Sequence, residues 1–516
     1  MELMFEVIRD LLSVDTLLIS LAGTAIGVVL GAIPGMNGGI GIAVMLPFTY
    51  AMSPAVGLLF LGGMYLGSSY GGSISAILIN CPGTSEAACT ALEGYPMTRR
   101  GEGKRALYFS IIASGFGSFL GVFVLIFFTP ILAKISVKFG PPEMMLLAIC
   151  GLTIVGSLTG RNVLKGLVAT LIGLFASMIG IASNTGLMRF TFGSKALQGG
   201  VDIIPAVIGL FALAEMLKQG SRLRGADAGQ QHSITALENS RFVDVLKDTF
   251  RSHTKVLLKS SLIGTFIGVL PGTGGAIAAF LAYGEAKGSS KTGGFGKGNP
   301  EGIVAAESAN NAAVGGSLVP MLSLGIPGSP TSAIMFGALT IHGLVPGQRL
   351  FTEHGEVAYT FLFGMLLTCI FMVLIGVLGI PLFSQILRLK VNDLIPVVVI
   401  CSLVGAFSVR NSSYDVIVAI GCGILGWVLA KLDIPNTPVV LGLILGRLIE
   451  NNFIRTYTIA RSKKTDFFMY VGTRPICIVI LLLTVYLIYA NIRAIRREQA
   501  IKSDPDMPEG MLIEEE

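Results

Sequence analysis

Four Pro-Gly pairs interrupt apolar stretches of this sequence: Pro34-Gly35, Pro82-Gly83, Pro271-Gly272 and Pro327-Gly328. Proline lacks the backbone N–H and glycine lacks conformational restraint, so each pair breaks a helix. Small polar side chains cluster around the breaks: Asn37, Ser73, Ser75, Asn80, Thr84, Ser85, Thr273, Asn310, Asn311, Ser317, Ser323, Ser329, Thr331 and Ser332. A half-helix that starts at such a break points free N–H groups and a positive dipole end at an anion. Hydroxyls and amides add donors, and unwound carbonyls suit Na⁺. This is chemistry for holding a carboxylate. The candidate contacts are Asn37, Gly38, Ser73, Asn80, Pro82, Gly83, Thr84, Ser85, Thr273, Gly274, Gly275, Ser317, Pro327, Gly328, Ser329 and Thr331. For any single Ser or Thr, helix packing or a bond to the preceding turn is the simpler role; the cluster carries the inference.

Carboxylates beside apolar segments are costly and often functional. Glu86, Glu93, Asp202, Glu215, Glu285 and Glu307 are so placed. Glu86 adjoins one break, and Glu307 precedes Asn310-Asn311 near another. Glu86, Glu307, Asn310 and Asn311 are therefore the candidates for a coupling cation, Na⁺ or H⁺; a segment-end carboxylate in water is the plainer role for each acid. Arg161 and Arg410 are candidates for a buried anion partner. Catalytic constellations are missing. Gly293-Gly294-Phe295-Gly296-Lys297 approaches a phosphate-binding loop, but Gly298 stands where Ser or Thr is required. There is no His-Glu-x-x-His, and His342 has no second partner for hydrolysis. No enzyme activity, resident cofactor or metal site is expected.

The elements that must position these residues are membrane helices. Of 516 residues, 52% are hydrophobic and 13% charged, against roughly a quarter charged in soluble domains. No Asp, Glu, Lys or Arg falls between Asp15 and Glu86, and shorter charge-free runs follow along the chain. At about 20 apolar residues per crossing, this predicts roughly ten to fourteen membrane segments in an all-α polytopic bundle. In lipid a freed backbone group costs several kcal/mol, so the Pro-Gly breaks are expected in re-entrant hairpins or discontinuous helices facing a watery cavity. The net charge of +6 lies in loops such as Arg99–Arg105, Arg222–Lys259 and Arg493–Lys502. That is the positive-inside pattern, and nucleic acid is not an expected partner. The seven cysteines read as small buried hydrophobes. The acidic start, Met1–Asp10, has no basic stretch of a cleavable signal, so the first segment is expected to be retained.

The chain also repeats itself. Ile33-Pro34-Gly35 recurs as Leu270-Pro271-Gly272, Gly71-Gly72-Ser73 as Gly315-Gly316-Ser317, and Pro82-Gly83 as Pro327-Gly328. Ala91-Leu92 matches Ala338-Leu339, Arg161-Asn162 matches Arg410-Asn411, and Pro205–Leu210 matches Pro438–Leu443. Ordered matches at nearly one offset indicate duplication. The expected organisation is a first repeat over 1–218, a polar linker over 219–254, a second repeat over 255–460, and a final helix with charged tail over 461–516. The entry to the first half is poor in Lys and Arg, that to the second is rich, and the order reverses after the Pro-Gly elements. This predicts inverted repeats, an external N-terminus and a cytoplasmic linker. Arg455–Lys464 fits that placement poorly.

These motifs resemble the large membrane subunit of tripartite tricarboxylate transporters, the TctA family, over roughly residues 15–460. The likeness rests on Asn80-Cys81-Pro82-Gly83-Thr84-Ser85 followed by Gly94-Tyr95-Pro96-Met97 and Arg99-Arg100. It also rests on Gly325-Ile326-Pro327-Gly328-Ser329-Pro330-Thr331 followed by His342–Gly347, and on Arg189-Phe190-Thr191-Phe192-Gly193. The chain departs from the family pattern in having Thr84 for Glu, Glu93 for Asp, and Ile181-Ala182 for Thr-Asp. The resemblance implies a multi-pass protein of a bacterial inner membrane. It implies a small four-helix membrane subunit (TctB-like) and a periplasmic solute-binding protein (TctC-like) as partners. The implied function is uptake of tricarboxylates or related carboxylates by Na⁺ or H⁺ symport, without ATP. The competing expectation is a passive channel or exporter for organic anions.

Overall fold

The computed structural model describes residues 2–33, 38–158, 163–182, 185–223, 240–270, 274–290, 293–386 and 391–502. Asn37 and Thr273 among the candidate contacts, and Arg161, lie outside the described residues. The chain opens with α1 (Glu2–Leu11), α2 (Val14–Ala32), α3 (Gly38–Met45), α4 (Pro54–Ile79), α5 (Ala87–Arg99) and α6 (Gly103–Ser136). It continues through α7 (Pro141–Leu158), α8 (Val163–Ser177), a small antiparallel hairpin of β1 (Gly180–Ile181) and β2 (Met188–Arg189), α9 (Ile203–Val207) and α10 (Ala214–Leu223). A π-helical segment, Ile208–Leu213, joins the last two. The amphipathic α11 (Phe242–Ser252) lies within the 219–254 stretch, and its Asp248 pairs with Arg105 at 3.3 Å.

Beyond it come α12 (Thr254–Val269), α13 (Gly274–Ser289), α14 (Pro300–Leu324), α15 (Pro330–Ile341), α16 (Gln348–Thr352) and α17 (Gly355–Leu378). The chain ends in α18 (Ile380–Ile386), α19 (Val391–Arg410), α20 (Ser413–Lys431), α21 (Thr437–Ser462), α22 (Phe467–Gly472) and α23 (Pro475–Lys502).

Helix boundaries follow local chemistry. Pro54, Pro300 and Pro330 each sit in the first turn of a helix, where a missing N–H costs nothing. Asn299 and Ser329 cap the latter two through their side chains. The two long central helices end in left-handed residues, α4 at Asn80 (φ 53°) and α14 at Gly325 (φ 72°).

The two halves interlock. Helix α2 packs on α4 and α12 on α14, while α6 of the first half lies on α14 of the second and α17 lies on α4. These contacts are backbone-close. A Cβ on Gly117 would sit 2.2 Å from the Ser308 carbonyl oxygen, and one on Gly121 would sit 2.4 Å from that of Ala312. Such small-residue seams suit helices that associate through van der Waals contact in lipid.

Among the described residues, six helices are long and apolar enough to cross a membrane: Val14–Ala32, Gly103–Ser136, Ile203–Ser221, Gly355–Leu378, Ser413–Lys431 and Thr437–Ser462. Six further apolar helices are shorter, among them Gly38–Ala51 and Pro330–Ile341. The sequence expectation of roughly ten to fourteen segments thus divides into full spans and part-length helices. Helices α4 and α14 are long enough, but they form the bundle centre, buried on almost every side. Glycine and serine replace lipid-facing apolar residues there, so hydropathy alone passes them over.

The two Pro-Gly elements have the same internal hydrogen bonds at a constant offset of 245 residues (328 − 83). The Gly83 N–H donates to the Gly72 carbonyl at 3.2 Å, and that of Gly328 to Ser317 at 3.3 Å. The Cys81 N–H donates to Ser75 and that of Ile326 to Pro320, both at 3.3 Å. The same offset pairs Gly71 with Gly316: an added Cβ would meet the carbonyls of Val28 and Thr265 respectively. The structural register is therefore one residue removed from the alignment of Gly71-Gly72-Ser73 with Gly315-Gly316-Ser317.

Candidate functional site

Helices α3, α5 and α15 all begin at one polar cavity of about 160 Å³. Gly38 and Gly39 open α3 at its wall. Thr84, Ser85 and Glu86 enter it from the turn before α5, and Pro330 and Thr331 from the first turn of α15. Tyr65, Ser68 and Ser69 of α4 also line it, as do Phe211 and Thr437. The start of α13 reaches the same place: a Cβ on Gly275 would lie 2.5 Å from Asn310 Oδ1 and 2.9 Å from Glu86 Cγ. Four half-helix N-termini, two from each half, thus converge.

The breaks hold this arrangement through their backbone. Gly83 packs so tightly that a Cβ would lie 1.9 Å from the Gly31 carbonyl oxygen; for Gly328 the corresponding distance is 2.4 Å to that of Gly268. Tyr65 ties the two elements together. Its hydroxyl bonds Ser329 Oγ at 2.6 Å and Ser317 Oγ at 3.2 Å. Ser329 in turn shares a capping box with Ser332, which fixes the first turn of α15.

Of the candidate contacts, Gly38, Thr84, Ser85 and Thr331 line the cavity. Ser317 and Ser329 stand one bond behind it, through Tyr65. Gly274 lies against Pro330, with Gly275 beside Glu86. Gly83 and Gly328 face neighbouring backbone, so they position the turns instead of touching a ligand. Pro82 is half-buried and Pro327 buried in those turns, while Asn80 is the exposed left-handed end of α4. Ser73 points elsewhere, to the Tyr70 carbonyl at 2.6 Å and Ser110 Oγ at 2.9 Å.

The cation candidates separate in the same way. Glu86 lines the cavity, with Ser85 Oγ donating to it at 3.2 Å. Asn310 donates from Nδ2 to the Ser69 carbonyl at 3.2 Å, at the cavity wall. Glu307 is fully buried away from it, and Asn311 donates to Ser118 Oγ at 3.0 Å. Arg410 does not line the cavity; it pairs with Asp415 and, at 3.5 Å, with Asp202. No Lys, Arg or His lines the cavity among the described residues.

Sequence reasoning missed Tyr65, Ser68, Ser69, Phe211 and Thr437. Tyr65, Ser69 and Ser73 are spaced i, i+4, i+8 on one helical face, a signal that was available. Phe211 and Thr437 carry none, since only tertiary packing brings them forward. Tyr65→Phe is expected to cost about 1 kcal/mol of stability through the lost hydrogen bonds to Ser317 and Ser329; thermal unfolding in detergent checks it.

The glycine-rich segment that resembles a phosphate loop is already occupied by an internal anion. The Glu93 carboxylate, fully buried, accepts from the N–H groups of Gly296, Gly298 and Asn299 and from the Tyr283 hydroxyl.

With this geometry in view, comparison with known proteins is decisive. The model of the tripartite tricarboxylate transporter TctA family matches residues 17–441. The chain belongs to the TctA family. It is 33% identical over 441 residues to an uncharacterised 52.8 kDa protein of the TAR-I ttuC′ 3′ region of Agrobacterium vitis, covering 85% of this chain and 86% of that one. It is 36% identical over 205 residues to an uncharacterised protein of the TAR-II ttuC′ 3′ region of the same organism, covering 40% of this chain and 85% of that one. No solved structure matches it. This TctA-family chain is a component of a multi-pass membrane transporter, of the kind that forms the large subunit of tripartite systems.

Proposed function

We propose that this chain is the permease subunit of a binding-protein-dependent secondary transporter that imports tricarboxylates or related small organic carboxylates by Na⁺ or H⁺ symport. The observation that carries the reading is the convergence of four half-helix starts from both halves on one polar cavity. Helix N-termini attract negative charge, and Thr84, Ser85 and Thr331 offer hydroxyl donors, so a carboxylate can be held without a basic side chain. Glu86 in the same cavity would repel that anion, which calls for a co-bound cation or proton and so favours symport over a passive pore. In this reading the repeats 1–218 and 255–460 are inverted about the cavity, and the 219–254 linker is cytoplasmic. The partners are a small four-helix membrane subunit and a periplasmic binding protein, in a bacterial inner membrane.

The test is uptake of labelled citrate, or of a dicarboxylate, into vesicles containing the permease, the small subunit and the binding protein. Accumulation is expected only with the binding protein present and an inward cation gradient. Uptake that survives collapse of both Na⁺ and H⁺ gradients, or that needs no binding protein, would show a channel or exporter instead. Thr84→Val and Thr331→Val are each expected to raise KM about tenfold, the equivalent of a ~1.5 kcal/mol hydrogen bond to a charged group.

A further inference from the structure

Two carboxyl groups are fully buried on helices that pack together, Glu93 on α5 and Glu307 on α14, and their surroundings differ in kind. Glu93 is met by three backbone N–H groups, which can only donate, and by the Tyr283 hydroxyl. Three of its four partners are thus fixed donors whose direction cannot be reversed. Glu307 is met only by hydroxyls. Thr90 Oγ1 of α5 donates to its Oε1, and Ser114 Oγ of α6 donates to its Oε2 at 2.8 Å. Ser73 and Ser110, bonded to each other at 2.9 Å, stand within reach of the same carboxyl. A hydroxyl turns to donate to a carboxylate or to accept from a carboxylic acid. This cage therefore fits both protonation states of one side chain.

No Lys, Arg or His pairs with Glu307 among the described residues. The other titratable groups near it are Tyr70 on α4 and Cys89 on α5, while α6 brings only Ser110 and Ser114. The Tyr70 hydroxyl is buried without a partner. Inside a membrane bundle, an uncompensated carboxyl needs either a proton or a bound cation. Na⁺ sites in such proteins draw on unwound backbone carbonyls. Helices α5, α6 and α14 run unbroken past Thr90, Ser114 and Glu307, so their carbonyls are used within the helices.

The cage is also linked to the cavity. Thr90 lies one turn along from Glu86, Ser73 one turn from Ser69, and Asn310 one turn from Glu307. Glu86 and Ser69 line the cavity, and Asn310 bonds the Ser69 carbonyl. The helices that carry the Glu307 cage, α4, α5 and α14, are therefore the same ones that reach the cavity.

We propose that Glu307, in its closed cage of hydroxyls, is the proton-carrying group of the transport cycle, distinct from the anion cavity and coupled to it through α4, α5 and α14. The inference rests on the transporter reading above. One proton is taken up as an O–H bond forms on the carboxylate and is released as that bond breaks, with no redox change.

The test uses the assembled permease, small subunit and binding protein in proteoliposomes. The wild type is expected to accumulate labelled carboxylate under an inward H⁺ gradient without Na⁺. Glu307→Gln is expected to lose that accumulation at least tenfold while still exchanging labelled for unlabelled substrate across the membrane. Glu307→Asp, which keeps a carboxyl on a shorter arm, is expected to regain part of the pH-driven uptake. Accumulation by Glu307→Gln that still follows the pH gradient, or wild-type uptake driven by Na⁺ alone, overturns the proposal and leaves the carrier reading standing. Loss of exchange together with accumulation in both variants marks a structural residue and also overturns it. Absence of any carboxylate flux in the wild type overturns the transporter reading itself.

Discussion

Glu93→Ala is expected to lower stability by on the order of 3–5 kcal/mol, because several hydrogen bonds to one charged acceptor are lost together. The carboxylate accepts from Gly298 N and Asn299 N at 2.7 Å each, from the Tyr283 hydroxyl at 2.8 Å, and from Gly296 N. Truncation leaves the Gly298 N–H and the Tyr283 hydroxyl buried without this acceptor, at about 1–3 kcal/mol apiece before relaxation, and strips the bonds of the more exposed Gly296 and Asn299. Arg100 holds the same loop from its carbonyl side, donating to Lys297 at 2.6 Å and Gly298 at 2.8 Å. The loop cannot simply detach, because Glu93 of α5 and Arg100 just beyond its end grip it at both points. Glu93→Gln keeps one carbonyl oxygen but sets an amide donor against backbone N–H groups, so an intermediate loss is expected. Thermal unfolding in detergent, with limited proteolysis at Gly293–Lys297, reads both. A Glu93→Ala protein within 1 kcal/mol of wild type would mean that water reaches the loop freely and the carboxylate is dispensable.

The Glu93 contact shows where sequence reading stops. The carboxylate, the loop glycines and their spacing are all visible in the sequence, yet the loop reads as a failed phosphate site and the acid as a segment-end charge. Their hydrogen bonds span some 200 residues, 205 of them between Glu93 and Gly298, and nothing local encodes that pairing. What local chemistry does encode was legible. Charge-free runs and first-turn prolines mark the helices, and Pro-Gly pairs mark the breaks. The likeness between the two Pro-Gly elements was legible too, although Gly71, Gly72, Gly315 and Gly316 permit two alignments, and only packing against Val28 and Thr265 selects one. The division of the polar cluster was not. Thr84 and Thr331 face the cavity, Ser73 faces Glu307, and Ser317 bonds Tyr65. Residue type is the same in each case; helix rotation and neighbouring helices decide the outcome.

Gly83→Val and Gly328→Val are the other substitutions with a large expected effect, and the reason is space. Neither residue has a left-handed φ, so a side chain is disfavoured by what it would strike. At Gly83 the obstacle is the carbonyl oxygen of Gly31, 1.9 Å from an added Cβ; at Gly328 it is that of Gly268, at 2.4 Å. Both obstacles are helix backbone, and those helices cannot retreat. Helix α2 is already in contact with α4, since a Cβ on Gly27 would lie 2.4 Å from the Met64 carbonyl oxygen. Helix α12 is held likewise through Gly264, at 2.1 Å from that of Ala309. The turn must therefore move, and with it Thr84 or Ser329. Overpacking of this kind costs typically 1–3 kcal/mol and more where backbone is struck, so roughly 3 kcal/mol is expected at Gly83 and somewhat less at Gly328. Carboxylate uptake should fall below detection in the Gly83 variant even where the protein is recovered folded, because both halves of the cavity are referenced to these turns. Gly284→Ala is the control: it sits in α13 with no atom within 4 Å of the new methyl, and a change within about 0.5 kcal/mol is expected. Wild-type uptake by Gly83→Val would separate the turn from the site, and the converging helix starts would then have no claim on the substrate.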